Sequence, residues 1–180
     1  MTQVNKERML AEFKEIVALP CHSLQERPVF ELLKGKLEDL GFTVEEDDAG
    51  EKLGGNCGNM WAFLPASAGV EGALRVLLSA HMGGVEPCGG TTVIQKDGVL
   101  YSDGTTILGG DDKSGVEGIL EGIRLLLEEG APHGDIQILF TDYNCLTTFY
   151  GRSHFLYIKI LAYQIIHMCF THTAHHAIYL

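Results

Sequence analysis

Apolar residues recur at helical spacing in three stretches of the first 140 residues, namely 6–18, 23–40 and 113–129. Such spacing is typical of helices that bury one face. Ser23 and Glu26 match a capping box at the start of the second helix, while Pro28 favours a later start. Poor helix formers on one face of the third helix indicate very close packing there; they are Gly115, Gly118 and Gly122.

Short apolar runs between these helices predict strands over residues 42–45, 59–64, 74–80 and 135–140. The run at 74–80 is almost entirely apolar, as expected of a central strand covered on both faces, and the run at 135–140 predicts another buried strand. A further pair, 91–95 and 99–101, flanks Lys96-Asp-Gly98 and predicts a hairpin. The alternation predicts an α/β fold with three αβα layers and a central, mostly parallel sheet.

Composition changes sharply near residue 141. Residues 141–180 hold one acid, one glycine and no proline, yet they carry eight of the 15 aromatic residues and five of the eight histidines. A break of this kind marks a domain boundary or a foreign segment. We therefore assign residues 1–141 and residues 142–180 to separate units, and the abrupt switch is typical of a frame-shifted reading of a longer gene.

The formal net charge of −11 argues against nucleic-acid binding and against an anionic membrane surface. The apolar run 155–170 is interrupted by Lys159 and is shorter than a membrane span. Five cysteines form no CxxC pair, and the first residues lack the apolar core of a signal peptide. We expect reduced cysteines and a cytoplasmic location.

The candidate chemistry lies at two strand ends. His81 follows the strand predicted at 74–80, where open α/β sheets bind ligands; the alternative is a histidine held by a backbone carbonyl. Asp111 and Asp112 open the third helix. Stabilisation of the two carboxylates by the helix dipole is a sufficient structural reason for their position, and a metal ion would bind them equally well. Lys113-Ser114 is no phosphate loop, because Asp112 stands where such a loop needs glycine.

Two long motifs and their spacing carry a resemblance to a known family. They are Leu77-Leu-Ser-Ala-His81-Met82 and Tyr101-Ser-Asp-Gly-Thr-Thr-Ile-Leu-Gly-Gly-Asp-Asp-Lys-Ser-Gly115. His133-Gly-Asp-Ile-Gln-Ile-Leu-Phe-Thr141 follows as a matching strand. The chain thus resembles the peptidase T group of zinc aminopeptidases, within the clan of carboxypeptidase G and the aminoacylases. The resemblance covers about residues 5–141.

The resemblance implies a zinc-exopeptidase-like fold, incomplete here, that hydrolyses short peptides with two zinc ions. His81 would bind one zinc and Asp111 would bridge both, while Asp112 would stabilise the loop and helix start. A glutamate would take the proton of the metal-bound water. Some relatives are homodimers, but the inserted dimerisation domain is missing from this sequence.

Two departures from the family pattern affect this expectation. Gly83 stands where the family has an aspartate that orients the histidine, and Asn144 and Cys145 stand where it has a Glu-Glu pair. The later zinc ligands also have no counterpart here. The tail offers imidazoles at His172, His175 and His176 but no carboxylate base.

We therefore expect a truncated, inactive peptidase. The alternative is a non-catalytic fragment that acts at most as a weak metal-binding or partner-binding domain.

Overall fold

The computed structural model describes residues 3–142 and the strand backbone at 177–179. Expectations for most of the tail, including its histidines, lie outside the described residues. The helices are α1 Lys6–Ala18, α2 Arg27–Asp39, α3 Ala49–Leu53 and α4 Gly110–Glu128. The strands are β1 Thr43–Glu46, β2 Met60–Leu64, β3 Val76–His81, β4 Val93–Lys96, β5 Val99–Ser102, β6 Ile136–Thr141 and β7 Ala177–Tyr179.

The two N-terminal helices begin for different local reasons. The side chain of Asn5 caps α1 by accepting a hydrogen bond from the backbone N–H of Arg8 at 3.0 Å. In contrast, α2 begins at Arg27 with Glu26 as its N-cap, has no side-chain cap, and carries proline in its first turn. The predicted capping box is therefore wrong, because Pro28 fits only the first turn of a helix and moves the start past Ser23.

The main sheet has four strands in the order β1-β2-β6-β3, and the predicted α/β class is confirmed. Only β3 and β6 pair in parallel; β2 runs antiparallel to both of its neighbours. The sheet is therefore mixed rather than mostly parallel. A parallel pair needs a long crossover connection, which α4 provides between β3 and β6, whereas five-residue α3 is too short to act as one between β1 and β2.

The strand β6 lies at the centre of the core. Ile138 and Leu139 point to opposite faces of the sheet, and both are buried. Helix α4 packs against β3 and α1 packs against α4, so that Ile16, Leu33 and Leu120 share one apolar cluster with Ile138. No helix in the described part of the chain has the length and apolar content needed to cross a bilayer.

The hairpin predicted between residues 91 and 101 is present as β4 and β5. Asp97 and Gly98 form its turn with φ of +53° and +77°, the left-handed conformation that such turns require. The short strand β7 adds to the free edge of β5, with Ile178 opposite Leu100. Nothing in the local sequence pattern predicts this third strand.

Two of the three glycines on α4 that were expected to pack closely have free space beside them. A Cβ on Gly118 or Gly122 would meet no atom of the described residues within 4 Å. The expectation of very close packing is therefore wrong for these two glycines. Gly115 differs, because its Cβ would collide with the side chain of Asp112.

A buried group of charged residues joins α1 to α4. Arg124 donates to both oxygens of Glu12, and Lys36 donates to the same carboxylate at 3.0 Å. Although burial opposes them, these cations lower the pKa of Glu12. Glu117 lies beside it and is 1% exposed, and burial together with the Glu12 charge raises the pKa of Glu117 to about 9.

The protonation of Glu117 makes the stability of the fold depend on pH. As a carboxylate, Glu117 has no hydrogen-bond donor among the described residues, whereas as an acid it can donate to Glu12. A pKa raised on folding stabilises the fold below the unfolded value. This stabilisation is lost as pH rises from about 4.5 toward about 9, by up to about 1.4 kcal/mol per pH unit.

We predict that Glu117→Gln reduces this pH dependence, because the amide keeps a donor for Glu12 and does not ionise. Urea unfolding at pH 5, 7 and 9 should show the variant gaining stability relative to wild type as pH rises. The exposed Glu38→Gln on α2 is the control and should follow wild type. Parallel stability curves for wild type and Glu117→Gln would contradict the prediction.

Candidate functional site

The structure brings His81 and Asp111 together. His81 is the last residue of β3, Asp111 lies in the turn that opens α4, and Nε2 of the histidine is 3.2 Å from Oδ1 of the aspartate. The His81 side chain is 18% exposed and that of Asp111 is 84% exposed. The pair therefore stands at the carboxyl end of the sheet with one side open to solvent.

The separation of these two atoms fits either a direct hydrogen bond or two ligands of one metal ion. It is a hydrogen-bond distance, and it also matches the roughly 3.3 Å between two ligands of one tetrahedral zinc ion bound at about 2.0–2.1 Å. Imidazole nitrogen and carboxylate oxygen are both donors that zinc accepts. Within residues 3–142, no group of three or more His, Cys, Asp and Glu side chains is arranged to hold a metal ion.

Backbone geometry directs Asp111 toward β3. Gly109 has φ of +78°, and Asp111 and Asp112 depart from helical geometry although they lie within the bounds of α4. Asp111 is extended, with φ −92° and ψ 105°, and its peptide bond to Asp112 is cis. The regular helix therefore begins at Lys113, as the sequence predicts.

Asp112 connects the end of β3 to the start of α4. Its carboxylate lies against Gly115, and the backbone groups of His81 and Gly115 favour its charged form. Burial raises the pKa of Asp112, and the neighbouring His81 opposes that shift. The carboxylate therefore has the contacts of a structural residue that fixes the backbone of His81 and caps the helix, which is the role the sequence favours for it.

Lys113 also connects the start of α4 to the residues that follow β3. Its side chain is 1% exposed, and its ammonium donates to the backbone oxygens of Met82 at 2.7 Å and Gly83 at 2.6 Å. The amine therefore points inward, away from any open phosphate-binding position. Sequence reasoning missed this role, and the signal was a lysine among apolar positions on the inner face of α4.

A buried carboxyl group lies beside Gly83. A Cβ at this position would stand 2.9 Å from Oε1 of Glu26 and 3.0 Å from the backbone oxygen of Asp142. Glu26 is fully buried; burial raises its pKa to about 7, and the charge of Asp142 also raises it. The capping-box pattern placed Glu26 on a helix start and gave no sign of this contact.

Comparisons with known proteins agree with these motifs. No protein-family model matches the chain. The uncharacterised protein YqjE of Bacillus subtilis (strain 168) is 36% identical over 138 residues, which cover 77% of this chain and 36% of YqjE. The crystal structure of aminopeptidase PepT from Bacillus cereus ATCC 10987 matches with a TM-score of 0.74 at 39% identity, covering 77% of this chain and 37% of PepT.

A tripeptidase structure from Staphylococcus aureus subsp. aureus Mu50 gives a TM-score of 0.73 at 34% identity, covering 78% of this chain and 37% of that chain. The expected resemblance is confirmed: over about 77% of its length the chain is similar to peptidase T-like aminopeptidases. The chain spans only about a third of the length of these relatives.

We predict that Gly115→Ala destabilises the fold by about 1–3 kcal/mol, because the new methyl group must displace the Asp112 carboxylate. The matched control is Gly118→Ala on the same helix, where the methyl group meets nothing within 4 Å among the described residues. This control should be more stable than wild type by up to about 1 kcal/mol. Chemical denaturation measures the free energy of unfolding of both variants. A Gly115→Ala variant as stable as Gly118→Ala would contradict the structural role of the Asp112 carboxylate at the start of α4.

Proposed function

We propose that residues 1–141 form the N-terminal part of a zinc peptidase catalytic domain acting on short peptides, with His81 and Asp111 as its metal ligands. The 3.2 Å separation of their donor atoms at the carboxyl end of β3 is the observation that carries this proposal. The peptidase relatives, which cover the same segment, support the reaction class.

The donor set fits zinc in part. One imidazole and one carboxylate are correctly spaced for a single ion, and Asp111 has a second oxygen that can reach another ion. A protein zinc site uses three or four protein ligands, so the remaining ligands come from outside the described residues. When bound, zinc would supply a water of lowered pKa and polarise the peptide carbonyl.

The described residues hold the two ligands in place. Asp112 lies next to the backbone of His81, and Lys113 donates to the next two carbonyl groups. Because both supporting residues follow Asp111 directly, one short segment positions both proposed ligands. Asp111 is itself exposed, so the metal position is accessible from solvent.

The second candidate function is a non-catalytic fragment that binds metal weakly. Gly83 carries no side chain to orient His81, and Asn144-Cys145 stands at the proposed position of the Glu-Glu pair. We therefore propose that residues 142–180 are unrelated to the peptidase and that this polypeptide alone has no turnover. Reading the DNA downstream of the Thr141 codon in all three frames tests the frame shift, because a Glu-Glu-x-Gly segment in another frame would establish it.

We predict that the purified chain binds zinc and that His81→Ala and Asp111→Asn each weaken binding by about tenfold or more, the loss typical of removing even a supporting group. Competition with a fluorescent zinc chelator measures this affinity without any need for activity. The charge-matched control Asp97→Asn, in the exposed hairpin turn, should bind as wild type does. Unchanged affinity in both ligand variants would overturn the assignment of the ligands.

We predict no tripeptide cleavage by the zinc-loaded chain, because no carboxylate occupies the proposed position of the general base. Liquid chromatography of the peptide after incubation with the chain and zinc measures turnover. Zinc-dependent cleavage that disappears in His81→Ala would contradict this prediction and favour an active peptidase. Zinc binding without cleavage favours the non-catalytic fragment.

A further inference from the structure

Cys21 and Cys88 lie on two segments that pack together, namely the connection between α1 and α2 and the loop that follows His81. Cys21 stands between α1 and α2 and is 3% exposed, while Cys88 lies in the loop between β3 and β4 and is half-buried. Both are free thiols that pack in the same core cluster. Cys88 is close enough to Cys21 to raise the pKa of its thiol.

The backbone holds these two segments together on both sides of Cys88. Gly84 donates its N–H to the oxygen of Cys21, and Gly90 donates its N–H to the oxygen of Ala18, each at 2.7 Å. Gly89, which lies between these two glycines in the sequence, is also close to this segment, since a Cβ on it would stand 2.9 Å from Cα of Pro20. The fold therefore keeps the backbone segments that carry the two thiols next to each other.

The ammonium of Lys113 lies beside the sulfur of Cys21. A Cβ on Gly84 would be 3.0 Å from this sulfur and 3.2 Å from the lysine nitrogen, so both atoms border the same small space. A cation at this position favours a thiolate, although burial raises the pKa of Cys21 overall. Cys88 is the more exposed of the two thiols, and an oxidant reaches it first.

We propose that Cys21 and Cys88 are a redox-active dithiol that a peroxide converts into an intramolecular disulfide. Hydrogen peroxide transfers one oxygen to the Cys88 sulfur, giving a sulfenic acid and one water molecule. The Cys21 sulfur then attacks the Cys88 sulfur and expels hydroxide, which takes the Cys21 proton and leaves as a second water molecule. Both electrons lost by the thiols reduce the peroxide, and added thiol reductant restores the dithiol.

This modification is independent of the proposed peptidase function. It requires no metal, and neither cysteine is a proposed ligand. The new bond would join the loop that follows β3 to the residues that precede α2, next to the carbonyl groups held by Lys113.

Peptide mapping of the full chain tests the proposal. The reduced protein is treated with a small excess of hydrogen peroxide, its remaining thiols are alkylated, and the digest is analysed by mass spectrometry. The expected product is a crosslink between the Cys21 and Cys88 peptides with loss of two hydrogen atoms, reversed by dithiothreitol. Alkylation of both cysteines after oxidation, or pairing of Cys88 with Cys57, Cys145 or Cys169, would overturn the proposal.

Variants assign the role of each thiol. In Cys21→Ser, oxidation should stop at a Cys88 sulfenic acid that dimedone traps, and in Cys88→Ser the Cys21 thiol should remain free. The matched control is Cys57→Ser, which removes another buried thiol. Burial raises the pKa of the Cys57 thiol to about 12. The Cys57→Ser control should form the same crosslink as wild type. Loss of the crosslink in this control would contradict specific pairing of Cys21 with Cys88.

Discussion

The architecture of the candidate site depends on one junction, the attachment of the last residue of β3 to the first turn of α4. Two consecutive side chains make it: the Asp112 carboxylate lies against Gly115 and is favoured in its charged form by the backbone of His81, and the Lys113 ammonium donates to the carbonyls of Met82 and Gly83. Buried carbonyl groups without a partner are costly, and Lys113 supplies a donor to two of them. Because Asp111 precedes this pair directly, the same junction places its carboxylate beside the imidazole of His81.

This arrangement explains how an exposed carboxylate can still have a defined position. The Asp111 side chain is largely in solvent and pairs with His81, so its position is set by the buried residues that follow it in the chain. Buried polar side chains recur in the supporting layer beneath the site: Glu26 beside Gly83, Lys113 under the loop, and the Cys21 thiol next to the lysine. The chemistry proposed at the surface is thus supported by a layer that is more polar than a typical core.

Local sequence patterns predicted most of the elements but not how they pair. Helical spacing located α1, α2 and α4, because burial of one face leaves a periodic pattern, and apolar runs located β3 and β6. The expectation of a central strand is wrong for β3, which lies at the edge of the described sheet, while β6 has strands on both sides. Strand direction leaves no such pattern, and the antiparallel insertion of β2 between β1 and β6 was missed. The positions of His81 and Asp111 could be predicted because strand ends and helix starts are local features. The contacts of Glu26 and Lys113 join residues about 60 and 30 positions apart, and only the packed structure brings them together.

The strand order has a consequence for how this chain folds during synthesis. β6 stands between β2 and β3, and neither of these pairs with the other, so β3 has no partner in the main sheet until Thr141 has been made. The central strand is the last strand of that sheet to leave the ribosome, and its pairings close loops of more than 50 residues. Until then the apolar edges of β2 and β3 remain open to other chains. A nascent chain that stalls before β6 therefore already contains His81 and Asp111 but lacks the strand that joins β3 to the β1-β2 pair.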